Sequence, residues 1–186
     1  GMVTPGRHDP RWAALEVAAC ALGGSFASRL NTVLREQLGY TYGAHAGFRP
    51  LRGASMFVVR TSCRTEVAAA ATAEAQRLLD VAAAPFNADE IADARTYLLG
   101  VAPLHFQTAD AIADQASTLA GADMPATWVN THQRQVAAVS TEQVNRAFAE
   151  VVRPAQLSVV LCGDAGRLLN DLTSVGLEAE VVELEA

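Results

Sequence analysis

The chain has 186 residues, of which 51% are hydrophobic, and its formal net charge is −6. This length and composition suit one domain with a sizeable core, and the acidic balance disfavours nucleic acid as a partner because nucleic-acid-binding domains carry basic patches. No apolar run reaches the roughly 18 residues that a membrane span needs, so we expect no membrane span. No signal peptide opens the chain, and cytoplasm and periplasm both stay open as compartments. We predict one domain over residues 1–186, with Gly1 and Met2 as a remnant of an expression tag.

Two helices are predicted near the amino terminus. Asp9 and Pro10 fit the N-cap and the first helical position of the first helix, which Gly23 and Gly24 end. The second helix is predicted over residues 26–38, with its first residue on the buried face. Gly39 fits the left-handed position that follows a helix.

The strands are predicted from alternation and from apolar runs. Residues 40–48 and 55–62 alternate and predict an antiparallel hairpin. Residues 157–162, LSVVLC, predict a central strand, and residues 180–184 a last, half-exposed strand. Helices are predicted between residues 62 and 157 and between residues 162 and 180. Their predicted caps are Thr65, Asn87, Thr108, Ser140 and Asp164. The order predicts an α+β fold, a two-layer sandwich in which a mainly antiparallel sheet packs on a helical layer.

Little in the sequence indicates chemistry within this chain. No two of the four histidines have the spacing of a helical metal-binding pair, and neither H-E-x-x-H nor H-x-x-E-H occurs, so we predict no metal and no cofactor here. The stretch from Gly23 to Ser25 precedes a helix and allows a phosphate cradle. An interhelix turn is favoured, because the stretch follows a helix and lacks the lysine of a Walker loop. We expect Cys20, Cys63 and Cys162 to be buried free thiols.

Arg35 and Tyr42 are the candidate binding residues. Arg35 lies near a predicted helix end and Tyr42 at a predicted strand start, joined by the turn at Gly39. A guanidinium and a phenol are therefore expected at the same rim of the domain. Taken alone, the pattern favours an arginine on the polar side of a helix and a tyrosine that merely starts a strand.

Two stretches of this region resemble a known family. Residues 23–30, GGSFASRL, and residues 34–43, LREQLGYTYG, resemble the C-terminal half-domain of the pitrilysin/insulinase (inverzincin) zinc peptidases, which include the mitochondrial processing peptidases. The hairpin, the helical block and the terminal LSVVLCGDAGRLLNDL are similar too, so the resemblance covers roughly residues 9–184. It implies a processing-peptidase-like metallohydrolase half-domain, one of two homologous halves that close on a peptide.

The resemblance also implies roles. One half of such a peptidase carries H-x-x-E-H and zinc, and the other, which this chain resembles, is metal-free and supplies an arginine and a tyrosine seven residues apart. Arg35 and Tyr42 match that spacing, which implies that they bind the peptide substrate and that Tyr42 helps to stabilise the reacting carbonyl; Tyr40 is a weaker, neighbouring candidate.

On this resemblance the chain is a non-catalytic half that is inactive alone. Its partner would be an H-x-x-E-H half with zinc, either upstream in the same polypeptide or on a separate subunit. The alternative is a structural or interaction module on the same fold without peptidase activity, because a fold does not fix a function.

One departure from the family concerns the amino terminus. Family halves enter the first helix from a strand inside the sheet, whereas residues 1–7 do not look strand-like. We therefore predict that the first strand is lacking and that an open sheet edge or slot recruits another chain. A homodimer joined through residues 157–162 or 180–184 would be one outcome.

Overall fold

The computed structural model describes residues 1–182 and has the predicted α+β architecture, with a three-stranded antiparallel sheet against a layer of helices. The strands are β1 (Met2–Pro5), β2 (Thr41–Pro50) and β3 (Ala54–Cys63), in the order β1-β3-β2. The α-helices are α1 (Trp12–Ala19), α2 (Thr65–Leu79), α3 (Ala88–Val101), α4 (Ala109–Gly121), α5 (Trp128–Ala138), α6 (Thr141–Val151) and α7 (Ala165–Ser174). There are also π-helices at Cys20–Gly24 and Asn31–Gln37, and 3-10 helices at Ala102–Phe106 and Pro154–Gln156.

The predicted hairpin is confirmed and forms the sheet side of the core. β2 and β3 pair antiparallel with Phe48 opposite Phe57, and Gly53 makes the turn with φ of 76°. Phe57 is fully buried, and its ring centroid lies 5.1 Å from that of Phe48 and 5.5 Å from that of Phe148 on α6. This aromatic contact joins the sheet to the helical layer.

Most predicted helix starts are confirmed. Asn87 and Ser140 each form a capping box with the residue three positions later, and Thr108 and Asp164 accept the expected backbone N–H groups. Thr65 is the first residue of α2 rather than its cap, and α2 ends at Leu79.

The amino-terminal helices begin later than predicted. α1 begins at Trp12, and the carboxylate of Asp9 accepts the N–H of Arg11 instead of capping the helix. Residues 25–28 form a turn, so Phe26 is 72% exposed and not on a buried helix face. Gly39 has φ of 61°, as expected for a left-handed residue after a helix.

The prediction that residues 1–7 contain no strand is wrong. Met2–Pro5 forms β1 and pairs antiparallel with β3, from Met2 opposite Phe57 to Pro5 opposite Ala54. The reason is tertiary: the edge of β3 supplies backbone partners, and Thr4 is buried.

The prediction of a central strand at residues 157–162 is also wrong. Ser158 exchanges two backbone hydrogen bonds with Gly1, but no strand is assigned to the segment, and Val160 is 90% exposed. Cys162 is consequently exposed rather than buried, Cys63 is half-buried, and Cys20 is buried as predicted. No strand is assigned over residues 180–182, and the last two residues of that prediction lie outside the described residues.

Among residues 1–182, no helix combines enough length with enough apolar character to cross a membrane.

Candidate functional site

Arg35 and Tyr42 line the same cavity, which has a volume of about 970 Å³. The π-helix Asn31–Gln37 carries Arg35, and β2 carries Tyr42 at its start. The turn at Gly39 reverses the chain between them, so the two side chains reach one rim. We call these two residues and Phe26, which lines the same cavity, the rim site.

A β-bulge presents Tyr42 to solvent. The pairing of β2 with β3 shifts between Thr41 and Ala44, so that Tyr42 and Gly43 together oppose Ser62 of β3. Bulges of this kind re-aim a side chain and commonly lie next to functional sites. Ala44 is buried, whereas Tyr42 is fully exposed, so its phenol is accessible to a bound molecule.

The bulge is held by the hydroxyl of Thr41. Its Oγ1 accepts the N–H of Gly43 at 3.1 Å and donates to the carbonyl of Ser62 at 2.8 Å. The hydroxyl of Thr61 lies 2.9 Å from the same oxygen. The backbone on either side of Tyr42 is therefore fixed by side-chain hydrogen bonds.

The guanidinium of Arg35 is supported from one side. It lies 3.7 Å from the ring centroid of Phe26 and 3.3 Å from a carboxylate oxygen of Glu36, and its side chain is 27% exposed. A cation stacked on an aromatic face is attracted by the ring quadrupole, which limits its motion. Sequence reasoning missed Phe26 because it placed this residue on a buried helix face; the Gly-Gly-Ser break before it was the available signal.

Asn31 ties the two halves of the rim site together. Its Oδ1 accepts the N–H of Ala44 at 2.8 Å, and its Nδ2 donates to the carbonyl of Ala44 at 3.0 Å. Nδ2 also lies within hydrogen-bonding distance of Ser25 O and Ser28 Oγ. The side-chain amide thus pairs with the free edge of β2 as a neighbouring strand would. Asn31 is buried, and no sequence motif pointed to it.

Tyr40 does not line this cavity. It is half-buried against the main core, and its N–H donates to the carbonyl of Leu34 at 2.8 Å. Arg35 and Tyr42 therefore line one cavity, and Tyr40 does not.

Gly23 has a packing role. A Cβ on Gly23 would lie 2.5 Å from the backbone nitrogen of Ala46, so only glycine lets the π-helix Cys20–Gly24 approach β2 this closely. This contact gives the glycine at position 23 a packing role that needs no phosphate cradle.

The remaining chemistry of the described part of the chain is sparse. Among residues 1–182 there is no group of three or more His, Cys, Asp or Glu side chains that could hold a metal ion. His132 pairs with Glu16 and stacks on Trp128, with ring centroids 4.4 Å apart. The rim site offers the hydrogen-bond donors of Arg35 and Tyr42 and the aromatic surface of Phe26, and these groups suit binding.

Comparison with known proteins gives the family and the fold. The profile of the family described as "Peptidase M16 inactive domain" matches residues 1–98, more than half of the chain. No curated protein sequence matches the chain significantly.

Three solved structures illustrate the shared fold. A peptidase M16 inactive domain from Pseudomonas fluorescens has 25% identity and a TM-score of 0.73; the match covers 82% of this chain and 37% of that one. The inactive peptidase domain of a candidate zinc protease from Bordetella parapertussis has 17% identity and a TM-score of 0.67, with coverage of 80% and 82%. A chain of complex III2 from Candida albicans has 12% identity and a TM-score of 0.68, with coverage of 81% and 38%.

The chain thus spans little more than a third of the Pseudomonas fluorescens chain that it matches. The resemblance drawn from its sequence is confirmed by the family profile and by the shared fold. This chain belongs to the peptidase M16 inactive-domain family.

Proposed function

We propose that this chain is the non-catalytic, substrate-binding half of a zinc-dependent metalloendopeptidase. The observation that carries the proposal is that Arg35 and Tyr42 line one open cavity. Family membership supports it, as does the fold shared with the inactive peptidase domain from Bordetella parapertussis. The zinc and the H-x-x-E-H motif lie on a partner half, either upstream in the same polypeptide or on a separate subunit.

Arg35 binds the peptide. Its guanidinium offers five N–H donors in a fixed fork, which suits peptide carbonyls or a carboxylate. The ring of Phe26 already restrains it, so less side-chain entropy is lost when a peptide binds.

Tyr42 acts on the reacting carbonyl. Its exposed phenol donates a hydrogen bond to the carbonyl oxygen, and this bond strengthens as negative charge develops there, so the transition state is stabilised more than the ground state. A zinc ion held by the partner half would supply the activated water for attack on the peptide bond. The role of this chain is to bind and orient the peptide substrate.

The test is complementation with the H-x-x-E-H half and a reporter peptide. We expect Tyr42→Phe to lower kcat about 100-fold, the usual effect of losing one oxyanion donor. We expect Arg35→Ala to raise KM, because it removes binding shared by ground and transition states. Tyr40→Phe should have a much smaller effect, since this residue packs against the core.

Two matched controls lie away from the rim site. Tyr97→Phe on α3 and Arg134→Ala on α5 make the same chemical changes at exposed positions. If Arg35→Ala and Tyr42→Phe both support cleavage as well as these controls do, the assigned roles are wrong.

The second candidate function is a structural or interaction module without peptidase activity. One observation favours it: the guanidinium of Arg35 already has partners in Phe26 and Glu36, so it needs no substrate to be satisfied. In the same assay, wild-type chain that binds the H-x-x-E-H half but supports no cleavage at any ratio would favour this candidate.

A further inference from the structure

Positive charge is concentrated on the strand hairpin of an otherwise acidic chain. Residues 37–65, which contain β2 and β3, have four arginines and no Asp or Glu. The other residues carry all 20 acidic side chains and only 10 of the 14 basic ones, so the hairpin has the opposite sign to the rest of the protein. β1, which completes the sheet, has no charged side chain. The sheet therefore contains no carboxylate side chain.

The outer face of the sheet, which points away from the helices, presents this charge. Met56, Val58 and Arg60 alternate along β3 with residues that face the core, so they lie on the outer face. The pairing with β2 places His45 opposite Arg60 and Arg49 opposite Met56. The side chains of Arg49, Arg60 and His45 are all exposed. A molecule bound on this face would meet two guanidinium groups and an imidazole.

The two arginines of the outer face are available to a ligand. Among residues 1–182, no salt bridge joins Arg49 or Arg60 to a carboxylate. Arg52, in the hairpin turn, differs because it pairs with Asp123 at 3.3 Å. A guanidinium group binds a carboxylate through two parallel hydrogen bonds. Arg49 and Arg60 therefore suit an acidic ligand.

An apolar strip lies between these two arginines. Val58 is opposite Gly47, which has no side chain, and Met56 is next to Val3 of β1. Val3 is 73% exposed and Met56 is 40% exposed. Nucleic acids are held through many phosphate contacts with basic residues. Two arginines on either side of an apolar strip favour a peptide instead, with acidic side chains and an aliphatic one between them.

The spacing of the two arginines fits an extended peptide. Arg60 is opposite His45, and Arg49 lies four residues further along β2, a distance of roughly 14 Å at the rise of an antiparallel strand. Side chains four residues apart in an extended peptide point to the same side and are separated by the same distance. The side chain midway between them would lie over Val58.

This surface begins next to the rim site. Tyr42 lies in the bulge opposite Ser62, and Arg60 is two residues from Ser62 on the same face of β3, or about 7 Å away. His45 and Arg60 also line the cavity of the rim site. A peptide whose reacting carbonyl is at Tyr42 would therefore reach the outer face within about two residues.

We propose that the outer face of the hairpin, with Arg49, Arg60 and the apolar strip between them, binds an acidic segment of the peptide substrate. The segment has carboxylates about two and six residues from the cleaved bond and an apolar side chain about four residues from it. Arg60 binds the nearer carboxylate and Arg49 the farther one. The inference rests on the proposed function in taking the ligand to be the substrate, and it adds the class of substrate.

Peptide binding to the chain alone tests this surface without any cleavage. The probe is the fluorescent peptide STEAVAETS, capped at both ends, and the comparison peptides are STQAVAQTS and STKAVAKTS. In fluorescence anisotropy at low salt, we expect the glutamate peptide to bind about tenfold more tightly than the glutamine peptide, because an exposed charge pair contributes up to about fivefold. The lysine peptide should bind most weakly. Salt at roughly 0.5 M should remove most of the difference.

The spacing is tested with the peptide STEAVEATS. It has the same composition as STEAVAETS, but its glutamates are three residues apart and point to opposite sides of an extended peptide. We expect it to lose most of the advantage over the glutamine peptide. Equal binding of STEAVEATS and STEAVAETS would overturn the assignment of one carboxylate to each arginine.

Variants of the chain locate the binding surface. Arg49→Gln and Arg60→Gln should each weaken binding of STEAVAETS by about three- to fivefold and leave binding of STQAVAQTS unchanged. Arg134→Gln is the matched control, because Arg134 is an exposed arginine on α5, outside the hairpin. Tyr42→Phe should keep the preference for glutamate. Circular dichroism checks that each variant is folded.

The complementation assay connects this surface to cleavage. One reporter peptide carries Glu two and six residues before the cleaved bond, and a second carries them after it. One of the two should have a lower KM than its glutamine counterpart, and Arg60→Gln should remove that advantage. Failure of every reporter to be cleaved would overturn the proposed function, whereas the binding experiment decides the acidic surface independently.

Four results would overturn the proposal. The first is equal binding of the glutamate and glutamine peptides by the wild-type chain. The second is an unchanged preference for glutamate in the double variant Arg49→Gln/Arg60→Gln, which would place the carboxylates elsewhere. The third is displacement of STEAVAETS by a lower concentration of an oligothymidylate of equal charge, which would make the ligand a nucleic acid. The fourth is a wild-type dimer in light scattering that the double variant does not form, which would make a second copy the occupant.

Discussion

Asn31→Ala tests whether one side chain holds the rim site together. The asparagine satisfies both backbone groups of Ala44 at the edge of β2. Alanine cannot replace either bond, and Asn31 is buried, so water does not readily take its place. The strand that carries Tyr42 would then lose its link to the helix that carries Arg35.

The magnitude follows from counting the groups left unpaired by Asn31→Ala. A buried donor or acceptor without a partner costs about 1–3 kcal/mol, so the N–H and the carbonyl of Ala44 together cost about 2–6 kcal/mol. For a domain of this size, each kcal/mol lowers Tm by roughly 2–4 °C. We therefore expect Tm to fall by roughly 4–24 °C.

The assay is thermal and urea unfolding followed by circular dichroism. Asn170→Ala is the matched control, because Asn170 is exposed on α7 and its amide makes one long bond of 3.4 Å to Gly166 O. Equal losses of stability in the two variants would refute the reasoning, since the side-chain pairing with β2 would then contribute nothing particular.

Three further predictions concern packing, pH and thiol reactivity. Gly23→Ala should destabilise the chain by about 1–3 kcal/mol in urea unfolding, because its Cβ would overlap the β2 backbone. Burial would raise the pKa of Glu90, but the hydrogen bonds from Arg29 and from the backbone of Asn87 outweigh that effect, and the pKa is lowered. The stability this carboxylate contributes is therefore present above its unfolded pKa near 4.5 and lost as pH falls through the folded value, so Glu90→Gln should flatten the stability–pH curve below about 4.5. Cys162 should react with a thiol reagent far faster than Cys20, whose pKa burial and a nearby carboxylate raise to about 11.

These predictions have matched controls and contrary outcomes. Gly100→Ala should be neutral or stabilising, because nothing lies within 4 Å of its added Cβ; a loss equal to that of Gly23→Ala would contradict the packing argument. Glu178→Gln removes an exposed carboxylate, and an equal change in its acid profile would contradict the role given to Glu90. Labelling of native Cys20 at the rate of Cys162 would contradict the burial assigned to it.

Local signals were sufficient for much of the fold. The capping boxes at Asn87 and Ser140 involve residues three positions apart, so the sequence alone contains every partner. The hairpin and the left-handed Gly39 are equally local. The predictions for residues 1–7 and for residues 157–162 were wrong because strand pairing depends on which backbone edge lies nearby. That neighbour is set by the tertiary structure.

Part of the rim site could also be predicted from local sequence, and part could not. The spacing of Arg35 and Tyr42 and the turn at Gly39 predicted that the two side chains share one side of the domain, and they line one cavity. The supports of that site were not predictable from spacing. The ring of Phe26 contacts Arg35 because residues 25–28 form a turn and the helix begins after them. Asn31 bonds to Ala44, thirteen residues further along the chain.

The bulge itself is open to a test through Thr41. Thr41→Val keeps the shape of the side chain but removes the oxygen that accepts from Gly43 and donates to Ser62. In the complementation assay we expect kcat to fall, by less than in Tyr42→Phe, with KM unchanged, because the phenol is still present but less well aimed. Thr96→Val is the matched control, since its exposed hydroxyl donates to the carbonyl of Ala92 within α3.

A double variant distinguishes aiming from general damage. If Thr41 acts through the phenol, Thr41→Val adds nothing once the phenol is gone, so the double variant with Tyr42→Phe should match Tyr42→Phe alone. If the two losses in kcat multiply instead, Thr41 acts by another route, and the bulge is a feature of the sheet rather than of the rim site.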